Sequence, residues 1–415
     1  MMRKTAALAT LLACVATPAL AAPAPKHAAA ATPAAAAPDA VAAGGLVFPS
    51  MAAGTHGTAM EQVDEIVKKM DARLRKAGAT GGIGNMMQHT IYLKDGAASP
   101  IDVLGRFHGA ARKLAPSLVA EPSVGTIIRV PGFADKNTLV AVDLVAGPGK
   151  AAGFERHPFT FGPKEIVETI GTGPVIFTAG LEAMDFQNGK LVPGIDEQID
   201  VIVAKLDGAM KKAGLSVGNM ISHNLYVTRG TDPIHVIEKF HEATRKYSPG
   251  LKDHPSVGTL VLVDGMAVPG FLLEIDAIAA KGDPATLNRV PFTEMPMDIA
   301  KSVQAGSLVY LAGMEGVDFD NGGKVSPDVM KQVDAAARKI AATLRPAGLS
   351  TADLVKYKMY VKKGNDAAAV RAHFRAALAK LAGGRQPRAA ETLVMVEGLA
   401  GPSLQFEVSA IAAHR

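Results

Sequence analysis

The chain carries one pattern three times. Asn85-Met86-Met87-Gln88-His89-Thr90-Ile91-Tyr92-Leu93 returns as Asn219-Met220-Ile221-Ser222-His223-Asn224-Leu225-Tyr226-Val227, and again as Asp353-Leu354-Val355-Lys356-Tyr357-Lys358-Met359-Tyr360-Val361. Pro122-Ser123-Val124-Gly125-Thr126 returns as Pro255-Ser256-Val257-Gly258-Thr259, with an altered third copy at Arg388-Ala389-Ala390-Glu391-Thr392. The intervals are 133 or 134 residues. A solenoid repeat runs to about 20–50 residues, so each copy is a whole domain. Each must bury its own core, and function has to be read by comparing copies.

Hydrophobic residues make up 48% of the 415 positions, enough for three cores. A formal charge of +5 is small for this length, and Lys and Arg are dispersed. Trp is absent and aromatics are 5%, so the chain offers neither a basic groove nor a base-stacking platform. This argues against a nucleic-acid partner. The N-terminus reads as an export signal over residues 1–21: Arg3 and Lys4, an apolar stretch over 6–16, then Ala19-Leu20-Ala21 as a small-x-small cleavage site. That stretch is too short to span a bilayer, and no later segment is long and apolar enough. A periplasmic or secreted location is expected. Cys14 is the single cysteine. Cleavage after Ala21 removes it, which rules out disulfides, thiolate metal sites and a Cys nucleophile. Leu11-Leu12-Ala13-Cys14 also resembles a lipobox, so a lipid anchor at Cys14 stays open. The histidines show no HxxxH or HxH spacing, so no metal site is expected. Met295-Pro296-Met297 reads as core filler rather than a copper segment, and Gly171-Thr172-Gly173 is too short for a phosphate loop.

Residues 22–43 are almost entirely Ala and Pro and read as a tether. The repeats are expected at 44–147, 154–281 and 288–414. In each, a first helix presents one apolar stripe: Val63, Ile66, Val67, Met70 and Leu74, then Ile199, Ile202, Val203, Leu206 and Met210, then Val333, Ala336, Ala337, Ile340 and Leu344. Gly78, Gly214 and Gly348 follow and suit a left-handed helix stop. A strand, a second helix anchored by Phe107, Phe240 or Phe374, and two closing strands complete the unit. Two further strands precede the first helix around Val175–Phe177 and Val309–Leu311, and the equivalent region of copy one is degenerate. The unit is α+β, a sheet with two helices on one face. The other face is apolar too, as Leu260-Val261-Leu262-Val263 shows, and must pack on something. Three sheets facing a shared centre satisfy that need.

Gln198 opening a helix, Ala213-Gly214 after it, the strand with Tyr226, the Pro255-to-Thr259 loop and the closing run from Leu273 to Ala279 together form an ordered set. That set resembles the Rid family (YjgF/YER057c/UK114), whose fold is like a small chorismate mutase. The resemblance implies three RidA-like domains in a single-chain pseudo-trimer, with a small-molecule cleft at each boundary, no cofactor and no obligate partner. Well-known members deaminate enamines and imines, a hydrolase activity. They grip the substrate carboxylate with an Arg in a Pro-Ala-Arg loop. Here that place holds Val124, Val257 and Ala390, while Arg388 lies two residues earlier and reaches the cleft only if the loop shifts. The family's early Pro-Tyr-Ser reads Pro158-Phe159-Thr160 and Pro291-Phe292-Thr293, so the phenol is lost.

Glu274 and Glu407 match the family's acidic residue and are the catalytic candidates, able to orient a water or take a proton. Copy one has Ala141 there. The same glutamates read equally well as half-buried residues bonded to backbone amides. Thr126, Thr259 and Thr392 offer ligand hydroxyls, or suit a strand start. Gly125 and Gly258 let an anion approach the backbone, or serve tight packing. His89 and His223 exchange with Tyr357, which indicates an aromatic-sized slot. His108 and His241 exchange with Arg375, which indicates an exposed face. Two functional readings result: a diverged enamine/imine deaminase, or a non-catalytic periplasmic ligand-binding or scaffold protein.

Overall fold

The computed structural model describes residues 36–150, 153–185, 188–294 and 298–414. The export signal, Cys14, most of the Ala/Pro tract and Met295-Pro296-Met297 lie outside them. The same order of elements occurs three times. Unit one has a helix Ala59–Lys76, a middle strand Met86–Lys94, a helix Pro100–Leu114, then strands Val124–Val130 and Val140–Ala146. Unit two repeats this as Ile195–Lys212, Met220–Thr228, Pro233–Tyr247, Val257–Val263 and Leu273–Ala280. Unit three gives Val329–Leu344, Leu354–Lys362, Ala367–Leu381, Ala390–Val396 and Phe406–Ala413.

The first helices start and stop where local chemistry dictates. Thr58 and Glu61 form a capping box, and the Asp328 side chain accepts from Met330 N–H. Gly78, Gly214 and Gly348 have φ of 93°, 71° and 70°, the left-handed stop expected of them. A buried glutamine then ties each first helix to its last strand. Gln62, Gln198 and Gln332 are each 0% exposed, and their Oε1 atoms accept from Leu139, Leu272 and Gln405 N–H, each at 2.8 Å. Their Nε2 groups donate to loop carbonyls, so the buried amides are satisfied.

In each unit the middle strand runs parallel to the strand after the second helix and antiparallel to the last strand. It is buried on both sides. Ile91 and Leu93 enter the helix-side core with Val63, Met70 and Phe107, whereas Tyr92 joins the inner cluster. Period-two alternation sends Ile91 and Leu93 to one layer and Tyr92, with the polar positions Gln88 and Thr90, to the other.

The inner faces do cover one another. One buried cluster brings together Phe48, Met87 and Val124 of unit one, Phe177, Ile221 and Val257 of unit two, and Tyr310, Val355 and Ala390 of unit three. A second brings together Tyr92, Tyr226 and Tyr360 with Ile128, Val261 and Val394. The sheet edges are exchanged in a closed circuit. Gly265–Met266 of unit two pairs with unit one's Arg129 and Ile128. Gly398–Leu399 of unit three pairs with unit two's Leu262 and Val261. Gly132 of unit one bridges to unit three's Met395. Each exchange covers an edge that would otherwise expose unpaired backbone.

Two expectations need correction. The Ala/Pro tract does not run as a tether to residue 43, because Ala40–Ala43 is a strand paired antiparallel to Leu46–Pro49. Val47 then pairs with Ala146, so copy one keeps its two leading strands. Positive-φ Gly44 and Gly45 (57° and 75°) make the tight turn between them. Nor is the helix face around His108 exposed. His108 is 6% exposed, and the Arg375 guanidinium that replaces it is ion-paired to Glu391 at 3.2 Å.

Candidate active site

The surviving glutamates sit at two of the three unit boundaries. Register places Glu274 directly opposite Tyr226, Glu407 opposite Tyr360, and Ala141 opposite Tyr92. Glu274 of unit two meets Thr126 of unit one, whose hydroxyl bonds its carboxyl. Gly180 makes room for this contact. A Cβ there would overlap Glu274 Oε1 and lie 2.5 Å from Thr126 Oγ1. Gly180 N–H donates to the Gly125 carbonyl at 3.1 Å, which stitches the boundary. At the next boundary the Glu407 carboxyl accepts from the Leu260 backbone N–H instead, with Thr259 nearby. A Cβ on Gly313 would overlap Glu407 Oε1 and stand 3.2 Å from Thr259 Oγ1.

These carboxyls are almost fully buried, at 1% for Glu274 and 2% for Glu407, and the Oε2 atom of each has no hydrogen-bond partner. Burial pushes both well above the usual carboxylate range, and the neighbouring Glu182 and Glu315 push them further. Burial and a like-charged neighbour therefore both favour the protonated form of each carboxyl.

The third boundary is built differently. Ala141 removes the glutamate, and Asp143 of unit one takes the space. Its carboxylate accepts from Lys356 and from Thr392 Oγ1 at 2.9 Å, and it lies 2.9 Å from Lys358 Nζ. Lys356 also donates to the Pro49 carbonyl at 3.0 Å. Met51 stands where the other units have Gly180 and Gly313, and its N–H donates to the Glu391 carbonyl at 2.8 Å. Asp143 contacts all three partners, of which Lys358 keeps partial exposure, at 18%.

The remaining sequence candidates divide. Thr126 and Thr259 stand beside the two glutamates, whereas Thr392 is engaged by Asp143. Gly125 and Gly258 serve packing: a Cβ on either would collide with the His89 or His223 ring lying across it. Arg388 is exposed. His89 and His223 pack tilted against Phe107 and Phe240 with centroids 4.8 Å apart, the expected aromatic slot, and Tyr357 fills it against Phe374 at 5.3 Å. His108 and His241 are pushed down to about 4, chiefly by burial, and stay neutral at pH 7. Beside each lies a cavity of about 10 Å³, room for about one water.

Sequence reasoning missed a second acid at each of the two sites. Glu182 and Glu315 stand beside Glu274 and Glu407. Lys205 and Lys339, from the first helices, face them. The signal available was comparison of copies, since unit one has Ala53 at the acidic position.

The family model described as endoribonuclease L-PSP matches residues 164–281 and 298–414, together more than half of the chain. The chain belongs to this family. Unit one lies outside the match. A RutC family protein of Aquifex aeolicus (strain VF5) is 29% identical over 128 residues, covering 30% of this chain and 94% of that relative. A RutC family protein of Haemophilus influenzae is 35% identical over 74 residues, covering 18% of this chain and 56% of that relative. Among solved structures, E. coli TdcF with bound serine is 23% identical and covers 31% of this chain and 94% of that one, with a TM-score of 0.25. A chorismatase is 15% identical and covers 80% of this chain and 93% of that one, with a TM-score of 0.48. The family membership bears out the RidA-like expectation, and the α+β units agree with the expected fold class. No helix among the described residues is long and apolar enough to cross a membrane.

Proposed function

We propose that this protein is an exported, single-chain pseudo-trimer of L-PSP (RidA-like) units that hydrolyses imines or enamines at its first and second unit boundaries. The observation that carries this reading is the pair Glu274 and Glu407: buried carboxyls whose surroundings favour the protonated form, each with an unpartnered Oε2 beside a threonine of the preceding unit. Such an acid protonates an imine nitrogen, or an enamine carbon to give the iminium. The resulting carboxylate then accepts a proton from water as the water adds to carbon. Collapse breaks the C–N bond, so imine plus water becomes a carbonyl compound plus ammonia. Low local dielectric strengthens each of these interactions. The third boundary, with Asp143 held by Lys356, Lys358 and Thr392, is structural.

Ammonia release from an imine generated in situ tests the proposal. Wild type should exceed the uncatalysed rate, and Glu274→Gln/Glu407→Gln should lose about 100-fold or more of that excess, typical of removing a general acid. A double variant as active as wild type would sink it. The missing arginine specifically favours a second reading, ligand binding without turnover. A small molecule that raises the melting temperature while no imine is hydrolysed faster would support it.

A further inference from the structure

Each of the two boundaries that keep a glutamate holds a second carboxyl and an amine that the hydrolysis above does not use. Glu182 follows Leu181, which bridges to Ile275, and its charge bears on Glu274. Lys205 donates to the carbonyls of Glu182, at 2.7 Å, and Met184, in the field of the Glu182 carboxyl. Unit three repeats the set, with Glu315 bearing on Glu407 and Lys339 in the field of both. In unit one both acids are alanines, Ala53 and Ala141, and the equivalent Lys69 pairs with Glu65 and donates to the Ala53 carbonyl. The two acids are thus present together or absent together. They accompany the site rather than the fold.

The charges of each site then decide what it accepts. At the first site the ammonium of Lys205 is engaged by carbonyls and lies in the field of Glu182; at the second, Lys339 lies over the Phe319 ring, 5.1 Å from its centroid, in the field of Glu315 and Glu407. Glu274 Oε2 is left with no partner. In the preceding unit the residue two before the site threonine is apolar and buried, Val124 at 0% exposed and, at the second site, Val257 at 1%. A ligand carboxylate would add a third acid to each carboxyl pair and its single lysine, leaving the site with excess negative charge in a buried place. A ligand ammonium or iminium would meet the unpartnered carboxyl oxygen and a second acid, and ionising Glu274 or Glu407 would complete a buried ion pair.

We propose that the two sites select small molecules with a basic nitrogen and no carboxylate, namely primary amines and carboxyl-free imines, with Glu182 and Glu315 as the specificity-determining residues. This rests on the siting of the ligand at Glu274 and Glu407 given above.

The size-matched probes are n-propylamine and propionate, titrated into the full chain at fixed ionic strength by calorimetry. The amine should bind at two sites and propionate at least tenfold more weakly. Glu182→Gln/Glu315→Gln should abolish amine binding with the circular dichroism spectrum unchanged. If that variant fails to fold, Glu182→Gln alone should reduce two amine sites to one. Propionate binding as well as the amine, or undiminished amine binding in the variants, overturns the selectivity. Turnover separates the two proposals. The imine formed from propylamine by a flavin amine oxidase should release ammonia faster with this protein than the imino acid formed from alanine by an amino-acid oxidase. Acceleration for the imino acid alone refutes the selectivity and leaves the hydrolase standing. Amine binding with neither imine hydrolysed faster supports the selectivity and refutes the hydrolase.

Discussion

Asp143→Asn is predicted to loosen the boundary between the third and first units. The Asp143 and Lys356 side chains are each 2% exposed, and Lys358 is 18% exposed. Deleting the negative charge keeps the shape but strands two ammonium groups in a low-dielectric centre. Breaking a buried pair this way costs about 3–5 kcal/mol. At roughly 2–4 °C per kcal/mol for a large cooperative body, the melting temperature should fall by about 6–20 °C. A double-mutant cycle isolates the contact. Asp143→Asn with Lys356→Met should cost less than the sum of the single variants, by on the order of 1–3 kcal/mol. The pH dependence gives an independent check. Burial raises the Asp143 pKa, but Lys356 and Lys358 outweigh it and hold the carboxyl at about 2, below its ordinary 3.8. The folded value is depressed, so this stability is present above about pH 4 and is lost as pH falls toward 2. Urea melts at pH 7, 4 and 3 should show wild type losing this increment and Asp143→Asn lacking it from the start. A variant within about 0.5 kcal/mol of wild type at pH 7, the scatter of ordinary surface changes, would refute the reasoning.

Gly180→Ala and Gly313→Ala should each disable one site by pushing the glutamate carboxyl off its partner, the Thr126 hydroxyl at the first and the Leu260 N–H at the second. Since neither glycine has positive φ, the effect comes from occupied space, and ammonia release should fall by about half in each single variant and fully in the double. Glu274 and Glu407 are raised by burial first and then by Glu182 and Glu315, so the folded state keeps protons that the unfolded chain releases above 4.5. Stability should therefore fall as pH rises from 4.5, by up to about 1.4 kcal/mol per unit for each group, and Glu274→Gln/Glu407→Gln should flatten that slope in urea melts between pH 5 and 8. Gly125→Ala and Gly258→Ala should cost about 1–3 kcal/mol each by driving a methyl into a buried imidazole, measurable by thermal melting.

Much of the fold was legible because it rests on local rules. Helix stripes, left-handed glycines and the phenylalanine anchors all follow from periods of three to four and from short-range sterics. The strand Ala40–Ala43 was not legible, since alanine and proline carry little β-propensity. It exists because the neighbouring edge pairs with it. Glu274 and Glu407 stood out by position, but their pairing with Thr126 and Thr259 depends on which unit neighbours which. Lys356 and Asp143 are 213 residues apart, and nothing local to either residue announces the other. The misreading of His108 has a similar cause. Its exchange with Arg375 looked like a surface position, yet Glu391 replaces Gly258 in that copy and buries the guanidinium as an ion pair.

Linking the units in one chain has a further physical consequence. Three identical units around an axis set like against like, so an aspartate at position 143 would meet two more aspartates, and lysines would meet lysines. Repulsion of that kind limits what a symmetric centre can hold. In this chain the positions equivalent to Asp143 are Asp276 and Ser409, and those equivalent to Lys358 are Thr90 and Asn224. The acid can then find its lysines once, at a single boundary, while Asp276 accepts from Asn224 at 2.7 Å instead. That boundary gives up the glutamate and gains a buried ion network. The other two keep buried acids with an unpartnered oxygen, which costs about 1–3 kcal/mol for each unsatisfied group. The divergence concentrates a buried charge network at one boundary and leaves unpartnered carboxyl oxygens at the other two.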